Sequence, residues 1–280
     1  MTTRSQFRVG AIQMTSGLDV DTNLDTAHTL IAAAVEDGAE LIALPEFFAL
    51  IGRQRDDAFQ IREQYGQGPI QDFLRDQARR HGIWLLGGSM PMAVEGAPRV
   101  RAASLLYDSA GEVVARYDKV HLFDVHVEGD SKRIYQESQG VEPGNQLVVA
   151  DTPFGRLGLS ICYDLRFPEL FRGLADTGMD MLMLPSAFTA VTGRAHWEVL
   201  LRARAIENLC YVIAPAQWGR HEGGRETYGD SLIIDPWGDV LARLPESVGA
   251  LVHEIDLSRL NELRSRFPSL DHTTLEVNWR

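Results

Sequence analysis

Residues 105–117 read LLYDSAGEVVARY and residues 232–244 read LIIDPWGDVLARL. Each stretch is two short apolar runs around a turn, Asp108-Ser109-Ala110-Gly111 in the first and Asp235-Pro236-Trp237-Gly238 in the second. This is the pattern of a β-hairpin. One such likeness could arise by chance, but two more occur in the same order. Arg8-Val9-Gly10 corresponds to Arg156-Leu157-Gly158, and LIALP at 41–45 corresponds to LMLP at 182–185. Three ordered matches favour a pseudo-repeat whose period is far too long for a solenoid or propeller. The spacing shrinks along the chain, so the first half carries the longer loops.

The remaining elements follow from periodicity. In the first half, strands are predicted over 7–14, 40–44 and 83–89, and helices over 25–37 and 69–81 with Gly38 and Gly82 as stops. In the second half, strands are predicted over 156–162, 181–184 and 211–214, and helices over 169–177, 196–209 and 257–266. Alternating strand and helix in two halves predicts an α/β sandwich with pseudo-twofold symmetry. No Pro-, Gly- or Ser-rich linker separates the halves, so residues 1–280 read as one domain. Residues 124–145 read as a long, polar, irregular loop of the kind that often carries function.

Composition narrows the function classes. The chain has 280 residues, 27 Lys plus Arg against 39 Asp plus Glu, and a net charge of −12. That surface repels phosphate backbones, so nucleic acid is not an expected partner. Two cysteines exclude a disulfide framework and a four-cysteine zinc site. The N-terminus lacks the apolar region of a secretion signal, and no run of eighteen apolar residues exists. A cytoplasmic protein without a membrane partner is expected.

Cys162 stands at the end of a predicted strand, in GLSICYD, before a helix. A strand-to-helix turn can expose a nucleophile and aim backbone N–H groups beside it. A buried cysteine is more often a small hydrophobe, but Tyr163, Asp164 and Arg166 crowd this one with polar groups; Cys210, in an apolar join, fits the structural role. Glu46 follows Leu44-Pro45 beside Phe47 and Phe48, where desolvation would suit it to accept a proton. A helix-start carboxylate is the plainer reading. Lys119 ends a hairpin strand in RYDKVHLFD, where a solvated edge lysine is common. Each is weak alone, yet all three sit at strand ends, where α/β folds gather their sites. A papain-like grouping of Cys162 with His196 and Asn208 ranks lower, because both partners would leave a core-like helix. No glycine-rich phosphate loop or HExxH spacing is present.

LPEFFALIG (44–52), YDKVHLFD (117–124) and GLSICYDLRFPEL (158–170) resemble the Glu, Lys and Cys motifs of the nitrilase superfamily of carbon–nitrogen hydrolases. The likeness spans nearly the whole chain. It implies a four-layer α-β-β-α sandwich with two pseudo-symmetric halves. The stretch 185–221 and YGDSLIIDPWG (228–238) resemble the branch acting on deaminated glutathione, with the ω-amidases, which hydrolyse 2-oxoglutaramate, nearest to it. N-carbamoyl and nitrile hydrolases share the triad, and a catalytically silent binding protein would have broken it. The resemblance implies Cys162 as nucleophile, Glu46 as general base and Lys119 as oxyanion stabiliser, with Glu137 orienting Lys119. Arg166 is implied for a substrate carboxylate, with Phe188 and Thr192 lining the same pocket; an attack by Cys162 would also need oxyanion donors, for which Lys119 and the backbone N–H of Tyr163 are the candidates. A small-molecule amide substrate and a homodimer are implied, and no metal or organic cofactor is called for. The tail after Pro268 is less basic than the branch suggests.

Overall fold

The computed structural model describes residues 3–130 and 134–275; the end of the tail, from 276, and part of the 124–145 loop lie outside the described residues. Two sheets form the centre. The first has seven strands in the order Gly249–Asp256, Gln6–Gln13, Leu41–Ala43, Trp84–Leu86, Val100–Tyr107 and Met90–Ala93, with Val113–Asp118 also pairing with Val100–Tyr107. The second has six, in the order Val240–Leu244, Ser231–Ile234, Tyr211–Ala214, Met181–Met183, Gly155–Leu159 and Val149–Thr152.

The two-residue period of the strands builds the layers. Val9, Ala11, Leu41, Ala43, Trp84 and Leu86 face the second sheet and share a core with Leu157, Leu159, Met181 and Met183. Ile12, Ile42, Leu44, Leu85 and Leu105 face the other way, against Ala27, Ile31, Leu74 and Ala78 of the helices Val20–Glu36 and Pro69–His81. The second sheet is covered by Pro168–Asp176 and Ala190–Asn208, through residues such as Phe171, Leu174, Trp197 and Leu201. The result is the four-layer α-β-β-α order.

The internal repeat is visible in hydrogen bonds. Three parallel strands begin each half, paired 9↔41 and 41↔84 in the first and 157↔181 and 181↔211 in the second. Each third strand then takes an antiparallel hairpin, and each hairpin carries its register shift at the same place, Leu106/Tyr107 and Ile233/Ile234. The turns match as well. Asp108 Oδ1 accepts from the Ala110 and Glu112 N–H groups, and Asp235 Oδ1 accepts from those of Trp237 and Asp239. Gly111 and Gly238 take φ of 82° and 90°, which glycine alone tolerates freely.

Several expectations change at their edges. The helix predicted from 25 starts at Val20, because Asp19 caps it by accepting from the Thr22 N–H. The helix predicted from 196 starts at Ala190 behind a Thr189 cap. The strand predicted to reach 162 stops at Leu159, and a 3-10 turn, Cys162–Arg166, follows. The 124–145 loop is less irregular than expected: Asp124–His126 pairs with Ile134–Gln136, and a 3-10 turn covers Glu137–Gln139. Among the described residues no helix is long and apolar enough to cross a membrane.

Candidate active site

Glu46, Lys119 and Glu137 meet at the floor of a cavity of about 440 Å³, which Cys162 also lines. That volume is within the usual range for a small-molecule site. Glu46 follows the strand Leu41–Ala43, and its neighbour Phe47 holds a left-handed φ of 58° that turns the chain over the strand end. The Phe47 N–H donates to Ser89 Oγ at 3.0 Å, and Gln217 donates to the Glu46 carbonyl at 3.1 Å, fixing the turn from both sides. Lys119 follows Val113–Asp118 and remains in the ladder through its N–H to Ala102 at 2.9 Å. Glu137 opens the 3-10 turn after Ile134–Gln136.

Lys119 Nζ lies 2.8 Å from Glu46 Oε1 and 2.9 Å and 3.0 Å from the two oxygens of Glu137. Glu137 is itself held by the Phe123 N–H at 2.6 Å. Burial by itself would favour a neutral amine at Lys119, but the two carboxylates outweigh it and hold the ammonium above the ordinary lysine range. Burial pushes the Glu137 carboxyl up, with Lys119 opposing that shift. The second oxygen of Glu46 is buried with no hydrogen-bond partner. A buried acceptor in that state is costly, and here it faces the same cluster as the thiol.

Cys162 is 7% exposed and adopts φ of 47°, a strained conformation for a non-glycine residue. Its own N–H is committed to the Pro185 carbonyl at 2.9 Å. Burial pushes the thiol well up, the Glu46 carboxylate pushes it further, and Lys119 and a hydrogen bond from the Ala187 backbone pull it back. The resting thiol is therefore held protonated, with the Glu46 carboxylate lining the same cavity as the acceptor for its proton. Cys210, by contrast, is fully buried, contacts the Arg204 carbonyl, and has its thiol pushed up to about 12 mainly by burial.

Among the other predicted residues, Tyr163, Phe188 and Thr192 line the cavity. Arg166 does not. Its guanidinium sits behind two lining rings, 5.3 Å from the Phe188 centroid and 5.9 Å from that of Tyr163, and contacts His196 Nδ1 at 3.2 Å. Neither His196 nor Asn208 lines the cavity. Asn208 is buried and donates to the Arg204 carbonyl.

Sequence reasoning missed Asp164 as a structural anchor. Its fully buried carboxylate accepts from the Ile161 N–H, the His121 N–H and the Tyr117 hydroxyl, and contacts His121 Nδ1 at 2.7 Å. It thereby ties the cysteine turn to the segment carrying Lys119. Arg53 and Arg225, two further cations on the cavity wall, were missed as well. The only local signal was the Gly223-Gly224 pair that delivers Arg225 from a tight turn.

The chain is similar to known proteins along most of its length. The family model described as carbon–nitrogen hydrolase matches residues 8–265. The deaminated glutathione amidase of Yersinia enterocolitica is 44% identical over 94% of this chain and 92% of its own length. The human protein of that name is 42% identical over 94% of this chain and 81% of its own. Among solved structures, Saccharomyces cerevisiae Nit3, described as a member of branch 10 of the nitrilase superfamily, superposes with a TM-score of 0.85 at 28% identity. The match covers 96% of this chain and 97% of that one. With the family model spanning most of its length, the chain belongs to the carbon–nitrogen hydrolases.

Proposed function

We propose that the chain is a cysteine-dependent amidase acting on deaminated glutathione through a thioester on Cys162. The observation that carries this reading is the buried Glu46–Lys119–Glu137 cluster set against a protonated thiol. Deaminated glutathione is glutathione with an oxo group in place of its amine. It is 2-oxoglutarate joined by an amide to cysteinylglycine, with a carboxylate at each end.

Glu46 takes the thiol proton as Cys162 Sγ attacks the amide carbonyl. The developing oxyanion is met by Lys119 Nζ and the Tyr163 N–H, the Cys162 N–H being committed to Pro185. Losing one such donor typically costs about 3–4 kcal/mol of barrier. Glu137 keeps Lys119 oriented. Glu46 then protonates the leaving nitrogen, cysteinylglycine departs and the thioester remains. A water deprotonated by Glu46 attacks it, the C–S bond breaks and 2-oxoglutarate leaves. Phe188 and Thr192 line the acyl pocket. Arg166 lies one layer behind Phe188, outside the cavity lining, so its proposed role is a field that favours the 2-oxo acid carboxylate rather than a direct contact, and Arg166→Ala is expected to weaken the preference for anionic over neutral acyl groups.

The direct test is release of 2-oxoglutarate, a product common to deaminated glutathione and 2-oxoglutaramate, from each compound side by side. Cys162→Ala is the control. Turnover of deaminated glutathione orders of magnitude above 2-oxoglutaramate supports the proposal. The reverse order makes the chain an ω-amidase, and no release above the control removes the substrate assignment. We further propose a cytoplasmic homodimer formed over exposed Val199, Ile206, Trp237 and Phe267.

A further inference from the structure

Three cations line the cavity, and their surroundings differ sharply. Lys119 is bracketed by two carboxylates. Among the described residues neither the Arg53 nor the Arg225 side chain is ion-paired, although Asp57 Oδ2 accepts from the Arg53 backbone N–H at 2.7 Å. Arg225 is half-buried between two aromatic rings, 5.4 Å from the Phe47 centroid and 5.7 Å from that of Tyr135. Its Nη2 donates to the Ala187 carbonyl at 2.8 Å, while its Nε is buried with no hydrogen-bond partner among the described residues. A desolvated guanidinium with an unused donor is a poor resting arrangement unless an anion completes it. Arg53 stands further out on the rim. A Cβ on Gly223 would lie 3.2 Å from the Gly52 carbonyl and 3.3 Å from Arg53 Cγ, so the two arginine-bearing loops touch.

The direction of this cationic path matters. Glu46 is the proton donor to the leaving nitrogen in the mechanism above, so the leaving half must pass Glu46. Arg225 lies over the ring of Phe47, the next residue, and its loop touches the one that carries Arg53. Arg166 sits behind Phe188 and Tyr163, outside the cavity lining, whereas Arg225 lines the cavity itself. We propose that Arg225, supported by Arg53 at the rim, forms a carboxylate subsite for the leaving half of the substrate. The inference rests on the amidase reading and deepens it. The enzyme selects amides whose amine portion ends in a carboxylate, as a dipeptide does, over those that release ammonia or a neutral amine. The planar fork of arginine suits a carboxylate in two parallel hydrogen bonds, which lysine cannot reproduce.

The test compares deaminated glutathione with the same compound carrying a carboxamide in place of the glycine carboxylate, in the wild type, Arg225→Gln and Arg225→Lys. The readout is the ratio of kcat/KM for the two compounds, because a merely structural loss lowers both and leaves the ratio alone. The wild type is expected to favour the free acid by about 10- to 100-fold. Arg225→Gln brings the ratio close to one through a higher KM for the free acid, and Arg225→Lys retains part of it. A ratio that survives Arg225→Gln, or no preference in the wild type, overturns the subsite. Binding of both compounds to Cys162→Ala by calorimetry separates this proposal from the amidase reading. If the wild type hydrolyses neither compound, the amidase reading falls. Tighter binding of the free acid that Arg225→Gln abolishes still upholds the subsite, whereas equal binding, or none, overturns it.

Discussion

Cys162 holds two features that oppose each other: a left-handed backbone that presents it to the cavity, and a thiol pushed up by burial and by Glu46. A thiolate waiting in the resting site would need a lowered pKa; this site instead places the acceptor of the proton beside it. The sign of a substitution follows. Glu46 raises the thiol through its charge. In Glu46→Gln that charge disappears, so the thiolate forms at lower pH than in the wild type. Alkylation of Cys162 by iodoacetamide, followed by mass spectrometry, should therefore move its pH profile downward. Amide turnover should meanwhile fall by about 10²- to 10⁴-fold, because the proton acceptor is gone. A profile that stays in place or moves upward would contradict the assignment of Glu46. Lys119→Met acts in the opposite sense on the thiol and leaves two buried carboxylates uncompensated, at a cost of about 3–5 kcal/mol in stability. Much of this was legible in the sequence, because Glu46, Lys119 and Cys162 each stand at the end of a predicted strand, inside the three segments that resemble the nitrilase superfamily. Arg225 was not. A single arginine in a polar hairpin gives no local sign that folding will bury its Nε.

Elements that carry the triad come from three separate strand ends, and something must hold those ends in register to within a fraction of an ångström. Asp164 does this for two of them. Its oxygens join Ile161, at the start of the cysteine turn, to Tyr117 and His121, which flank Lys119 on its own segment. His121 is further fixed by stacking on Phe167, 3.6 Å between centroids and 6° from parallel. Asp164→Ala strands two N–H groups and a hydroxyl in a dry interior. Each such group costs about 1–3 kcal/mol when left unpaired, and relaxation of the turn will recover part of it. Thermal unfolding should show Tm lowered by at least about 5 °C, with kcat falling while Cys162, Glu46 and Lys119 are all still present. An unchanged kcat would mean that the two segments hold their places without this tie. Sequence periodicity found the elements more reliably than their connections. Helices 69–81 and 257–266 were readable in full, since Gly82 closes the first and an apolar stripe marks the second. The strand Gly249–Asp256 was missed because its partner, Gln6–Gln13, lies at the opposite end of the chain, and no local pattern reports such a pairing.

At the scale of the whole molecule, the fold is symmetric and the site is not. Both halves repeat a parallel triplet and a bulged hairpin, yet Glu46 and Lys119 come from the first half and Cys162 from the second. The sheet-on-sheet core formed by Leu41, Leu86, Leu159 and Met183 is thus also what brings base and nucleophile together. Outside that core the helix Ala190–Asn208 presents Val199 and Ile206 to solvent. Ile206 lies against the 235–238 turn, since a Cβ on Gly238 would come 2.6 Å from it, and Trp237 in that turn packs edge-on against Phe267 at 5.9 Å. Neighbouring exposed apolar residues of this kind are what the proposed homodimer would cover. The same helix begins at Thr189 and Thr192, which line the cavity, so a partner seated on its outer face would brace the site from behind. The wild type should accordingly elute as a dimer by light scattering at micromolar concentration. Val199→Glu with Ile206→Glu should shift it to monomer by burying charge without a counterion at the interface. If the bracing matters, the monomeric variant will show a raised KM and a lower Tm. A variant that remains dimeric would place the interface elsewhere on the molecule.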